Sequence, residues 1–104
     1  MGKIFEQVYD LVKKVPKGKV VTYGQVSEQI ASCTPRVVGY AMAAVEDPEI
    51  PWQRVINSKG EVSPRVWGDG SVTQQEILTA EGVQFNQNGK VNLRKFRYIF
   101  SEPH

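Results

Sequence analysis

Ile4, Val8, Leu11, Val12 and Val15 recur at three- and four-residue intervals, the spacing that gathers them on one face of a helix. This predicts a first helix over about 3–14, ended by Pro16-Lys17-Gly18. Val20-Val21 is a short β-prone stretch. Thr22 then opens a second helix, because Gln25 three residues on completes a capping box. That helix, over about 23–31, should bury Val26 and Ile30 and stop near Ser32-Cys33. Thr34-Pro35 supplies a hydroxyl N-cap and a proline at the first helical position, so a third helix starts there. It should run over about 35–46 with Val37, Val38, Ala41, Met42 and Val45 as its apolar positions. Gly39, Ala41, Ala43 and Ala44 keep its surface slim, so that another body can approach closely.

Two prolines in Asp47-Pro48-Glu49-Ile50-Pro51 forbid further helix. Arg54-Val55-Ile56 is β-like, Asn57-Ser58-Lys59-Gly60 is a turn, and Pro64 to Gly70 reads as an exposed loop. A last helix through Glu81 has two possible starts: Ser71 with Gln74, or Thr73 with Glu76. Gly82 supplies its stop. The tail from Val83 alternates only weakly and is rich in Asn, Gln and basic residues. The expected fold is a mainly α domain with short β elements, winged-helix-like, in which the second and third helices form a helix-turn-helix. Such helix pairs read DNA, but they also occur as plain packing units.

Length and composition restrict the alternatives. The 104 residues, 40% hydrophobic and 23% charged, suit one small globular domain. No apolar run approaches the roughly 20 residues of a membrane span, and the N-terminus lacks the apolar stretch of a signal peptide. Gly2 fits a myristoylation motif poorly beside Lys3 and Glu6. The single cysteine, Cys33, suits a reducing cytosol and is expected to be a small buried filler. With His104 as the one histidine, a Cys/His zinc site is not expected, and no cofactor is implied. A net charge of +2 does not demand a nucleic-acid partner. The basic residues cluster at Lys13, Lys14, Lys17 and Lys19 and again at Lys90, Arg94, Lys95 and Arg97, while Glu46, Asp47 and Glu49 gather the acids. Basic clusters of this kind are commonly just solvated faces.

Four segments follow one another in order: Val21-Thr22-Tyr23-Gly24-Gln25, Arg36-Val37-Val38-Gly39-Tyr40-Ala41-Met42, Pro51-Trp52-Gln53-Arg54-Val55 and Ala80-Glu81-Gly82. Together they resemble the C-terminal domain of O6-alkylguanine-DNA alkyltransferases over about residues 3–84, with the tail 85–104 outside the family core. The alkyltransferase active site reads Pro-Cys-His-Arg-Val. Its replacement here is similar to that of the alkyltransferase-like proteins, which recognise O6-alkylguanine in DNA without repairing it.

The chemistry of the side chains points the same way. Direct dealkylation needs a thiolate whose pKa a neighbouring base has lowered. The Trp52 indole has only an N–H donor, and Gln53 cannot act as a general base. Cys33 lies outside the motif. Glu81 resembles the carboxylate that orients the missing histidine and is expected to have nothing left to orient. The chain is therefore read as a non-enzyme. An enzyme of some other chemistry is one alternative, and a winged-helix-like regulator that binds specific DNA sequences is another.

The resemblance also implies site roles. Arg36 resembles an arginine that fills the stack vacated by a flipped nucleotide; its alternative is a phosphate contact or a solvated side chain. Tyr23 resembles the tyrosine that helps rotate the phosphate; alternatively it is a half-buried core tyrosine. Gly39, Ala41 and Ala43 would let the third helix sit in the minor groove. Trp52 would wall the lesion pocket, and Arg65 would stack on the flipped base. Pro51, Gln53, Arg54 and Glu81 would be structural residues near the site, and Trp67 a loop aromatic packed on the domain. The family's asparagine after the recognition helix has no clear counterpart; Asp47 is the nearest residue. The implied partners are duplex DNA carrying O6-alkylguanine and the proteins of nucleotide-excision repair, with no membrane involved. A monomer in the cytoplasm is expected, nucleoid-associated if the cell is bacterial.

Overall fold

The computed structural model describes residues 2–62, 66–67 and 72–100, with backbone alone for Val66, Trp67 and Val72. Helix α1 (Gly2–Val12) buries Val8 and Val12, as the apolar spacing requires. Strand β1 (Val21–Thr22) leads directly into α2 (Tyr23–Glu28). Thr22 accepts from the Gln25 backbone N–H while the Gln25 side chain accepts from the Thr22 N–H, so both halves of the capping box are present. α2 is shorter than the spacing suggests, yet Val26 and Ile30 are both buried. Ser32 takes a positive φ of 60° in the turn before α3.

Helix α3 (Pro35–Ala43) starts on the Thr34 cap, with Pro35 in its first turn. It ends before residue 46 because the chain must enter the Asp47 bend. There Asp47 Oδ1 accepts from Glu49 N–H at 2.9 Å, and Ile50 N–H donates to Asp47 O. Strand β2 (Val55–Ile56) pairs with β1 in parallel, Val21 against Val55 and Thr22 against Ile56. This crossover carries the α2–α3 pair from one strand to its neighbour.

The expected loop over 64–70 is corrected in part. Val66–Trp67 forms strand β3, antiparallel to β4 (Val72–Thr73), with Val66 opposite Thr73. A β-branched residue at each end of the pair favours the extended backbone. Arg65 and the rest of that stretch lie outside the described residues. Helix α4 (Gln74–Ala80) takes the second of its two possible starts, with Thr73 and Glu76 closing the capping box. Gly82 ends it at φ 101°. A short helix, α5 (Leu93–Phe96), follows.

The β1–β2 pair separates two apolar clusters. Val21 and Val55 face the first, with Val8, Val12, Val26, Val38 and Met42; Val20 and Ile56 face the second, with Leu78, Val83, Val91 and Phe96. Neighbouring residues of an extended chain point to opposite faces, so burial on both sides explains why Val20-Val21 and Val55-Ile56 are apolar without alternation. The weakly alternating C-terminal stretch closes both clusters, Phe96 in the second and Phe100 in the first. Gly60 lets it approach: Val91 N–H donates to Gly60 O at 2.8 Å, and a Cβ on Gly60 would lie 2.5 Å from Val91 O. Cys33 is half-buried rather than fully buried, with Sγ 3.6 Å from Thr34 O.

Candidate nucleic-acid interface

α3 has two faces of different character. Val38, Ala41 and Met42 are buried inward. Arg36, Tyr40 and Ala43 are exposed, with Gly39 between them at intermediate exposure. These four occur at i, i+3, i+4 and i+7, which is one stripe along a helix. Arg36 stands at its N-terminal end. A Cβ on Gly39 would meet nothing within 4 Å, so the fold itself does not require a glycine there. A helical glycine costs about 1 kcal/mol relative to alanine, and it leaves the middle of this stripe without a side chain. Ala41 does not share this face: it is 0% exposed, and its carbonyl accepts from Tyr9 O–H at 2.9 Å. Its place as a groove-facing residue is therefore corrected. The helical period turns it inward, while Ala43 and Gly39 remain outward. Tyr40, 52% exposed, was given no role in the sequence reading. Its spacing of four from Arg36 was the available signal.

The Pro51–Val55 segment is held from several sides. Pro51 has φ −80° and ψ 68°, and Trp52 N–H donates to Ile50 O at 2.8 Å, so an inverse γ-turn is centred on the proline. A 3-10 turn, Trp52–Arg54, follows and runs into β2. Trp52 is half-buried against the first apolar cluster, as is Tyr23 at the start of α2. The parallel β1–β2 pairing puts Tyr23 and the Trp52–Arg54 turn at opposite ends of the ladder, and what the two share is the first apolar cluster.

Glu81 is not idle. Its Oε2 accepts from Gln53 Nε2 at 2.7 Å, and its two oxygens accept from Arg54 Nε and Nη2 at 2.9 and 3.0 Å. Arg54 Nη1 also donates to Val15 O at 2.8 Å. The expectation that Glu81 has nothing to orient is overturned: the amide of Gln53 occupies the donor position, and a forked guanidinium takes the rest of the carboxylate. Burial by itself would raise the Glu81 pKa. Hydrogen bonds from Arg54 and Gln53, with the charges of Arg54 and Lys17, outweigh it and hold the carboxyl below its ordinary range.

Gln74 forms a second clamp on the turn. Gln74, the first residue of α4, is only 2% exposed, and its Nε2 donates to Gln53 O at 2.8 Å and Val55 O at 3.0 Å. No local pattern announces it, because the carbonyls it holds lie 21 and 19 residues away. Asp47 caps its own bend, as described, and the side-chain tie to the turn backbone comes from Gln74.

Charge is unevenly spread. A cleft of about 390 Å3 lies between α1 and the segment after α3, where Glu6, Asp10, Glu46 and Asp47 outnumber Lys13. Burial and the nearby Glu46 charge raise the Tyr9 pKa there. That environment repels a polyanion, whereas the outward stripe of α3 carries Arg36 and no carboxylate.

A helix pair whose second member carries an exposed, arginine-headed stripe with small residues fits a DNA-binding module. The family model described as "6-O-methylguanine DNA methyltransferase, DNA binding domain" matches residues 3–83. The chain is 36% identical to Alkyltransferase-like protein 1 of Schizosaccharomyces pombe, over 94% of this chain and 96% of that one. It is 35% identical to a DNA base-flipping protein of Vibrio parahaemolyticus, over 94% of this chain and 98% of that one. Its fold superposes with a TM-score of 0.78 on S. pombe Atl1, solved in complex with damaged DNA containing O6-carboxymethylguanine, at 36% identity and covering 94% and 96% of the two chains. Against Mycobacterium tuberculosis OGT in complex with DNA the TM-score is 0.64 at 25% identity, over 75% of this chain and 48% of that one. The chain belongs to the family of the 6-O-methylguanine DNA methyltransferase DNA-binding domain, as an alkyltransferase-like member.

Proposed function

We propose that this protein binds O6-alkylguanine in duplex DNA by rotating the nucleotide out of the stack, leaves the alkyl group in place, and marks the lesion for nucleotide-excision repair. The observation that carries the reading is the Pro51–Val55 turn. Trp52 and Gln53 stand where transfer would need a thiol and a base, yet Glu81, Arg54 and Gln74 hold that turn rigidly. The turn is thus an ordered wall that contains neither nucleophile nor base. The relatives' names, a DNA base-flipping protein and Atl1 bound to O6-carboxymethylguanine DNA, support the same reading.

Extrusion costs a few kcal/mol. Arg36, exposed at the head of α3, fills the vacated stack, and Tyr23 turns the phosphate. Trp52 offers the flipped base a flat apolar wall, and Arg65 is its proposed stacking partner. The protein acts as a cytoplasmic monomer, on the nucleoid if the cell is bacterial.

Competition binding across O6-methylguanine, bulkier O6-alkylguanine and unmodified duplexes, in one salt, tests the reading. Tighter binding to the modified duplexes is expected, with no mass increase on the protein. Equal affinity for all three would sink it, and a footprint that follows base sequence would favour a regulator instead. Arg36→Ala should weaken lesion binding by about ten-fold or more, as loss of a group that offsets extrusion requires. It should also abolish the fluorescence change of a reporter base beside the lesion.

A further inference from the structure

The stretch after residue 83 lies beyond the family match, yet it is fixed against the entry to α2. Val20 N–H donates to Phe96 O at 2.9 Å and Tyr98 N–H donates to Val20 O at 2.7 Å, giving a parallel bridge between Val20 and Arg97. Gln25 of the α2 capping box donates through Nε2 to Tyr98 O at 2.9 Å. Phe96 and Phe100 turn inward and Tyr98 is half-buried, while Arg97 and Ile99 face out. Ile99 is 67% exposed. With Leu93 and Arg94 from the preceding turn, Arg97 and Ile99 line a groove of about 260 Å3. Among the described residues neither guanidinium has an ion-pair partner. Lys19 Nζ donates to Lys95 O at 3.2 Å, so Lys19 is tied to the segment that carries the C-terminal basic cluster, 76 residues away in sequence.

We propose that this groove holds the DNA backbone: Arg94 and Arg97 take phosphates of the duplex that lies against Tyr23 and Arg36, and Leu93 and Ile99 pack on its sugars. The proposal rests on the reading of Tyr23 and Arg36 as DNA contacts. The geometry supports continuity with them. Val20 is three residues before Tyr23, about 10 Å of extended chain, which corresponds to about three phosphates at ~3.4 Å of axial rise per strand. The tail runs parallel to β1, so Ile99 advances toward the start of α2. Planar forked guanidiniums match phosphate oxygens, and among the described residues no carboxylate pairs with these two. The acidic cleft lined by α1 is the wrong sign for the same strand.

Salt titration of binding separates this from the lesion reading. The double variant Arg94→Ala/Arg97→Ala and the wild type are compared on an O6-methylguanine duplex and its unmodified counterpart. Two lost phosphate contacts should shallow the slope of log K against log salt by about 1.8. Affinity should fall by the same factor on both duplexes, with the lesion preference unchanged. Lys13→Ala/Lys14→Ala removes equal charge from the turn that follows α1 and should change the slope by much less. A slope in the arginine variant equal to wild type, or equal to the lysine variant, overturns the groove assignment. So does polyglutamate binding that vanishes with the two arginines while the DNA slope stays unchanged, since it would assign the groove to an acidic protein. If the wild type shows no lesion preference, the lesion reading fails, while the slope still decides the groove. A urea melt of each variant confirms that it is folded.

Discussion

α2 and α4 open with the same local device and serve different ends. Each starts on a threonine whose side chain and a residue three positions on, Gln25 or Glu76, satisfy each other's backbone N–H groups. The first helical residue then diverges. In α2 it is Tyr23, half-buried on the apolar cluster that Trp52 also packs against; in α4 it is Gln74, buried, with its amide on Gln53 O and Val55 O. At the far end of α4, Glu81 grips Gln53 and Arg54. One helix packs its first side chain on the shared apolar cluster and the other braces the Pro51–Val55 turn from both ends. A capping box therefore says where a helix begins and nothing about what the helix is for.

The sharpest way to break the α4 brace is Arg54→Met. It leaves the Glu81 carboxylate, with only 10% of its side chain exposed, without its ion-pair partner, and Val15 O without its side-chain donor. Removing one partner of such a pair typically costs about 3–5 kcal/mol, to be read from urea unfolding. Gln74→Leu keeps the volume but leaves two carbonyls without their side-chain donor, and should cost about 3 kcal/mol. If that variant is as stable as wild type, α4 is no clamp.

Acid tests the brace without mutation. The Glu81 carboxyl is held lower in the folded state than in the unfolded one. Its contribution is therefore complete above the unfolded pKa and is lost as pH falls through the folded one. Stability of the wild type should drop over that acidic window, and Glu81→Gln should remove this part of the pH dependence. The smallest effect separates the two capping boxes. Gln25→Ala should cost about 1 kcal/mol more than Glu76→Ala, because Gln25 also donates to Tyr98 O. Equal losses would mean that the C-terminal stretch is not tied to α2.

Much of this molecule is legible in its residues taken locally. Thr22 with Gln25, Thr34 with Pro35 and Gly82 set helix boundaries, because each device closes within a few residues and owes little to its surroundings. The absence of a thiol at Trp52 and of a base at Gln53 is likewise intrinsic to those side chains. Tertiary structure decided the rest. It turned Ala41 inward, gave Glu81 an amide and a guanidinium to hold, placed Gln74 under the Trp52 turn, and joined Lys19 to the Lys95 segment. Those outcomes depend on groups tens of residues apart meeting at hydrogen-bond distance, and no local pattern encodes which distant carbonyl or carboxylate arrives.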